Sequence, residues 1–261
     1  MHGYRIRVLT LACVLCGLVT LTGFAILGVA GLAVASALIG ALGWGVYFYS
    51  ERMVLTALRA RPVSEVEHPA LYGLVRELCR DARLPVPRLF VAPAPQPNIL
   101  TVGCNRRSFA VCCTDGLLRS LSLAELRAVL AHEMAHVSGR DTLVSSWSAG
   151  LAALVAFLPV PVSALLLAVI TPAGREFRAD FDGALLAGDP MSLASALRKI
   201  SASAADLPLP ARGLAVAAGH LMIAHPFSSE GGIGRLFLTH PPVVERVRRL
   251  ESLAGSSAPI S

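Results

Sequence analysis

The chain has 261 residues, 54% hydrophobic and only 15% charged, with a formal net charge of +6. An ordinary soluble domain carries roughly 25% charged residues, so the composition argues for a membrane-associated chain. All basic residues but Lys199 are arginine, and no basic stripe interleaved with aromatics appears, which argues against a nucleic-acid partner.

The first element is uncharged from Val8 to Tyr49. One bilayer crossing takes about 20 residues, so residues 1–52 are predicted to form two transmembrane helices with a tight turn near Gly28 to Gly31. A cleaved signal peptide competes with this reading, but the run is far too long for one. Trp44, Tyr47 and Tyr49 stand near its end, where an interfacial aromatic belt belongs. Arg5 and Arg7 precede the run, and Arg52, Arg59, Arg61, Arg76, Arg80, Arg83 and Arg88 come after it. The positive-inside rule then places both ends of the hairpin, and the domain attached to its second arm, on the cytoplasmic side of the inner membrane. Cysteine usage agrees. Cys13 and Cys16 fall inside the first helix, and Cys79, Cys104, Cys112 and Cys113 show no zinc-finger spacing.

Residues 53–261 read as a mainly helical α+β domain. Ser64 and Glu67 form a candidate capping box for a helix with apolar Leu71, Leu74, Val75 and Leu78, running to about Ala82. Arg88–Ala92, Asn98–Val102 and Phe109–Thr114 are candidate strands, the last two joined by a turn around Gly103, Asn105 and Arg106. Such a small sheet offers an edge to which a peptide strand could add.

Ser122 and Glu125 form another capping box, and Leu123, Leu126, Val129 and Leu130 give the next helix an apolar face as far as about Val137, with Gly139 as a stop. This helix carries His132-Glu133-Met134-Ala135-His136, an H-E-x-x-H motif. At i and i+4 the two imidazoles face the same way and can share one metal ion. Glu133 sits beside them, where a carboxylate can take a proton from the attacking water. A hydrolytic zinc site has a third protein ligand. Glu176 and Asp180 are again i and i+4, a repulsive pairing unless one acid meets a cation and the other orients a ligand histidine. An ordinary solvated helix, with Arg175 and Arg178 offsetting the acids, fits the same spacing.

Between these helices, Leu143–Ile170 is uncharged over 28 residues and broken by Pro159 and Pro161. A zinc shared by His132, His136 and Glu176 requires both ends of this block on one side of the membrane. The block is too short for two full crossings, so a membrane-associated helical hairpin over 143–170 is expected. A buried helix pair is the alternative. Leu193–Ile200 reads as helix, Ala202–Gly219 as a loop with a short helix, and Ser228–Gly234 as a Gly/Ser-rich loop. His220 and His225 match no ligand spacing. Thr239 to Pro242 can cap a helix Val243–Leu250.

Several segments in order, Thr114–Leu118, Glu125–His136, Arg175–Asp180, Thr239–Pro242 and Glu245–Val247, resemble the HtpX family of bacterial membrane zinc metalloproteases, relatives of the CAAX prenyl endopeptidases. The resemblance covers about residues 50–251. It implies a zincin-like metalloendopeptidase holding one Zn2+ through His132, His136 and Glu176, with Glu133 as general base. It also implies His240 beside the metal as an oxyanion stabiliser, Asp180 and Arg246 supporting the ligands, and Asn98, after Pro97, as a substrate contact. Family members commonly continue with Ala and an aromatic where this chain has Ile99-Leu100. Polypeptides, membrane proteins among them, are the implied substrates, in quality control at the bilayer. The alternative is a receptor or scaffold of the same fold that signals without general proteolysis.

Overall fold

The computed structural model describes residues 2–139, 174–207, 221–224 and 240–256. The Leu143–Ile170 block, Ser228–Gly234, His220, His225 and Thr239 lie outside the described residues.

The chain opens with α1 (His2–Ala57), two helical arms meeting at Gly28. Gly28 adopts φ 59, ψ −140, a conformation that a residue with a Cβ resists. The chain doubles back there. A Cβ built on Gly23 would lie 2.6 Å from the Gly31 carbonyl oxygen and 3.0 Å from the Ala35 Cβ. In one straight helix, residues eight apart would be about 12 Å away from each other. Small residues let the two arms approach closely. The expected turn therefore falls at its first residue. Within α1, Ala12–Gly45 is long and apolar enough to cross a membrane, and large side chains such as Leu21, Ile26 and Val29 are exposed along it.

The far end of α1 is tied to a sheet. Arg59 takes φ 52, and the Ala60 N–H donates to Leu55 O (2.9 Å), a left-handed helix stop. The turn delivers Arg61–Pro62 as β1, a two-residue strand that sequence periodicity does not reveal. It pairs antiparallel with β2 (Arg88–Ala92). β2 runs parallel to β4 (Ser108–Thr114), which pairs antiparallel with β3 (Ile99–Asn105), giving the order β1-β2-β4-β3. The β3–β4 turn is built by Asn105, whose Oδ1 accepts from the N–H groups of Arg107 and Ser108.

Val54 and Leu55 of α1 cover one face of the sheet, against Leu100, Val102, Ala110 and Cys112. The other face carries Ile99, Phe109, Val111 and Cys113 and packs on the main helical core. Adjacent Cys112 and Cys113 thus point to opposite faces, as strand alternation requires. Burial pushes the Cys112 thiol up to about 12 and the Cys79 thiol to about 11, so neither is a reactive thiolate.

The helical core comprises α2 (Pro69–Asp81), α3 (Asp115–Ser120), α4 (Leu123–Ser138), α5 (Gly174–Ala187), α6 (Pro190–Asp206) and α7 (Val243–Ser256). Two expectations need correction. α2 starts at Pro69 with His68 as N-cap, so Ser64 and Glu67 close a separate turn, with Glu67 Oε2 accepting from Ser64 N (2.8 Å). Proline suits the first helical position, which sets the boundary later than the Ser64 signal implied. Likewise α6 continues to Asp206, so Ala202–Asp206 is helix rather than loop. Its register is set early, by Asp189 capping Ser192 N and Pro190 at the first turn.

The capping box of α4 forms as predicted: Ser122 and Glu125 each accept the other's backbone N–H. Glu125 also accepts from Ser195 Oγ (2.7 Å) and Lys199 Nζ (2.8 Å), pinning α6 to the start of α4. Burial opposes its charge, yet Lys199, Ser122 and Ser195 outweigh it and lower the pKa from 4.5 to about 2. A depressed carboxylate contributes stability that is complete above its unfolded value and lost as pH falls through the folded one. The stability gap between wild type and Glu125→Gln is expected to stay constant above about pH 5 and to close between pH 4.5 and 2. Denaturant unfolding of both forms across that range checks it, because loss of bound metal in acid affects both alike.

Candidate metal centre

α4 is buried nearly throughout; Val129, Leu130, Met134 and Val137 point into the core with no exposure. This fixes its rotation and leaves His132 and His136 on one face. Their Nε2 atoms stand 3.2 Å apart. The first turn of α5 brings Glu176, with Oε2 3.7 Å from His132 Nε2 and Oε1 3.6 Å from His136 Nε2. All three side chains are buried, and their donor atoms lie within 4.8 Å of one another. A tetrahedral zinc at its usual N and O bond lengths separates two ligands by roughly 3.3–3.6 Å, so the donor set fits that ion.

Asp180 lies one turn beyond Glu176, and its Oδ1 is 3.0 Å from His132 Nδ1. A carboxylate there favours the tautomer with its proton on Nδ1, leaving the Nε2 lone pair for a metal. Arg246 of α7 is fully buried against Asp180: Nε donates to Oδ2 (2.8 Å) and Nη2 to Oδ1 (2.7 Å). Burial opposes the charge on Asp180, but the guanidinium outweighs it and holds the pKa down to about 2. Burial likewise opposes the charge on Glu176, while His240, His136 and His132 around it keep its pKa well below the ordinary range. For His132, burial disfavours the cation, but the carboxylates of Asp180 and Glu176 prevail and raise the pKa to about 9. Together these groups form a buried pocket of donors and anions that suits a dication.

The cleft is lined by Glu133 and His240 beside the three ligand candidates, with Thr101, Arg175 and Met222 also among the lining residues. His240 Nδ1 is 3.4 Å from Glu176 Oε2. The structure thus gathers His132, Glu133, His136, Glu176, Asp180, His240 and Arg246 in one place. Asn98 is not among the cleft-lining residues. It is fully buried, its Nδ2 donates to Ala224 O (3.1 Å) and its Oδ1 accepts from Ile99 N (3.1 Å). With Nδ2 donating to one backbone carbonyl and Oδ1 accepting from one backbone N–H, Asn98 is an anchor for residues 221–224, and, among the described residues, one N–H of its amide is left over.

That anchored segment was not foreseen. Met222 bridges Leu100 antiparallel, and Ile223 N donates to Ile99 O (3.1 Å), so the start of the β3 edge is already paired. Arg246 Nη1 donates to Ile223 O (2.7 Å) and locks the same strap from the other side.

Gly183 was also missed as a site residue. It follows Glu176 by seven residues and Asp180 by three, hence shares their helix face. A Cβ there would fall 2.6 Å from His132 Cα and 2.8 Å from His132 N. The glycine lets α5 approach α4 closely enough for Glu176 to reach the histidines. Gly183→Ala is expected to push the helices apart and weaken zinc binding about 10–100-fold, the cost typical of disturbed ligand support. Gly73 of α2 has open space around it, and Gly73→Ala should leave affinity unchanged. Competition with a chromophoric chelator measures both.

Donor geometry of this kind, on a mostly helical fold with a small sheet along the active helix, is that of a zincin-like metallopeptidase. Comparison with known proteins narrows this further. Peptidase family M48 matches residues 66–254, and the chain belongs to that family. It is 41% identical to a Protease HtpX homolog of Arthrobacter sp. (strain FB24), covering 84% of each chain. A Protease HtpX homolog of Kineococcus radiotolerans is 42% identical over 80% of this chain and 81% of the relative. A Protease HtpX homolog of Syntrophobacter fumaroxidans is 35% identical, with 96% of this chain and all of the relative covered. Among solved structures, S. mikatae Ste24p has a similar fold, with a TM-score of 0.52 at 16% identity, spanning 94% of this chain and 64% of that one.

Proposed function

We propose that the chain is a membrane-bound, zinc-dependent metalloendopeptidase that cleaves polypeptides, membrane proteins among them, with its catalytic domain facing the cytoplasm. The observation that carries this reading is the donor triangle of His132, His136 and Glu176, with edges of 3.2, 3.6 and 3.7 Å. The bound ion would supply a Lewis acid that polarises the scissile carbonyl and acidifies the attacking water. The chain's own residues do the rest. Asp180 keeps the His132 proton on Nδ1. Glu133 takes the proton of the attacking water and returns it to the leaving amine. His240 donates to the oxygen on which negative charge develops. The membrane part of the proposal rests on α1. Its arms, Val8–Leu27 and Val29–Tyr49, are uncharged and each about 30 Å long, one hydrocarbon thickness. The arginines that flank them favour the cytoplasmic side for both ends.

Metal content tests the ligand set directly. Purified wild type should carry one zinc per chain, and Glu176→Ala should bind it at least about 100-fold more weakly, since three protein ligands are the minimum for such a site. Equal affinity in the two proteins would overturn the assignment.

A further inference from the structure

We propose that the Thr101 hydroxyl is a specificity-determining contact of the cleft, one that hydrogen-bonds a polar side chain of the substrate. The inference rests on the proteolytic reading above and names the substrate class: polypeptides with a Ser, Thr, Asn or Gln side chain at one position beside the scissile bond.

Thr101 lies in β3 opposite Val111. Side chains alternate along a strand, so Thr101 shares the face of Ile99 and Val111, which pack into the main core. A polar residue at such a place needs a reason. The residue is nineteen-twentieths buried, and among the described residues its Oγ1 has no hydrogen-bond partner. A buried hydroxyl left unmet is destabilising, whereas valine has the same shape and no oxygen to satisfy. The residue is one of those lining the cleft that holds Glu133, His240 and the three ligand candidates. The strap runs beside Thr101: with Met222 opposite Leu100, the antiparallel register sets Leu221 opposite Thr101.

A hydroxyl both donates and accepts, so it can serve a side-chain hydroxyl or amide equally. A site with a hydrogen-bonding group waiting in it rejects the apolar isostere, because that substrate leaves the group unmet. Preference for Thr over Val at the facing position should reach about 10–100-fold in kcat/KM, the effect of one neutral hydrogen-bonding group met or left unmet.

The test uses a series of quenched fluorogenic peptides that differ at single positions within three residues of the scissile bond, in Thr/Val and Asn/Leu pairs. Zinc-loaded wild type should show the polar preference at one position. Thr101→Val should cleave the two members of each pair at rates alike and lose the preference. Thr101→Ser, which restores the hydroxyl, should keep it. Binding of the same peptides to the zinc-loaded Glu133→Gln form, with and without Thr101→Val, should give the same ratio in Kd without turnover. The thermal midpoint of Thr101→Val should equal or exceed that of wild type. A wild-type preference unchanged in Thr101→Val, or no position with a preference, overturns the inference while proteolysis stands. A zinc-loaded wild type that cleaves none of the series, and whose Glu133→Gln form binds none of it, overturns the proteolytic reading and the inference together.

Discussion

Glu133→Gln is expected to retain one zinc per chain and to hydrolyse an unfolded polypeptide about 10²–10⁴-fold more slowly, the usual contribution of a positioned general base. Glutamine has the shape of the glutamate it replaces and cannot accept a proton at neutral pH. His132, His136 and Glu176 form the donor set without help from position 133. Metal affinity and turnover should therefore separate, which a merely structural role for Glu133 would not produce. Glu133 is 2% exposed at the cleft wall, so the substitution changes little that solvent sees. The measurement is kcat/KM on a protein substrate alongside zinc content, with protein free of contaminating proteases. Retained turnover in zinc-replete Glu133→Gln would remove Glu133 from the chemistry and favour the scaffold reading instead.

What could be read in advance was local. The Ser122–Glu125 box, the apolar face of α4 and the H-E-x-x-H spacing lie within one stretch of chain, and each arises from helix geometry alone. The pairing of Glu176 with Asp180 was visible for the same reason, although spacing could not separate a ligand helix from a solvated one. What was missed depends on partners far along the chain. Asn98 holds Ala224, 126 residues away, and no local pattern announces that bond. Residues 221–224 carry no periodic pattern, and their backbone is engaged by Ile99, Asn98 and Arg246. β1 is two residues, legible only once β2 is beside it. Gly183 had a signal, since it falls on the ligand face of α5, yet its meaning required the approach of His132. Thr101 interrupts the apolar run Ile99–Val102 of β3, and that break acquires a sense only because the folded chain sets the residue among those lining the cleft.

Arg246→Ala is expected to cost the fold about 3–5 kcal/mol, the range for stripping the partner from a buried ion pair. The guanidinium has no exposed surface and meets both oxygens of Asp180 and the carbonyl of Ile223. Alanine would leave the Asp180 carboxylate buried without its cation and the strap without one of its ties. Lysine should restore only part of the loss, because one ammonium cannot span three acceptors in a plane as a guanidinium does. The effect should reach the metal as well. Asp180 Oδ1 stands 3.0 Å from His132 Nδ1, so a carboxylate that shifts or takes up a proton should weaken the imidazole as a ligand, by about 10–100-fold in zinc affinity. Pairing Arg246→Met with Asp180→Leu separates the two consequences. Removing both charges should recover much of the stability, since a buried pair replaced by apolar groups often costs little. It should not recover zinc affinity, because His132 still lacks its carboxylate. Denaturant unfolding of the zinc-free protein and chelator competition on the same three variants read the two quantities independently. Arg246→Ala with stability within about 1 kcal/mol of wild type and unchanged zinc affinity would mean that the pair is not what holds His132 in place.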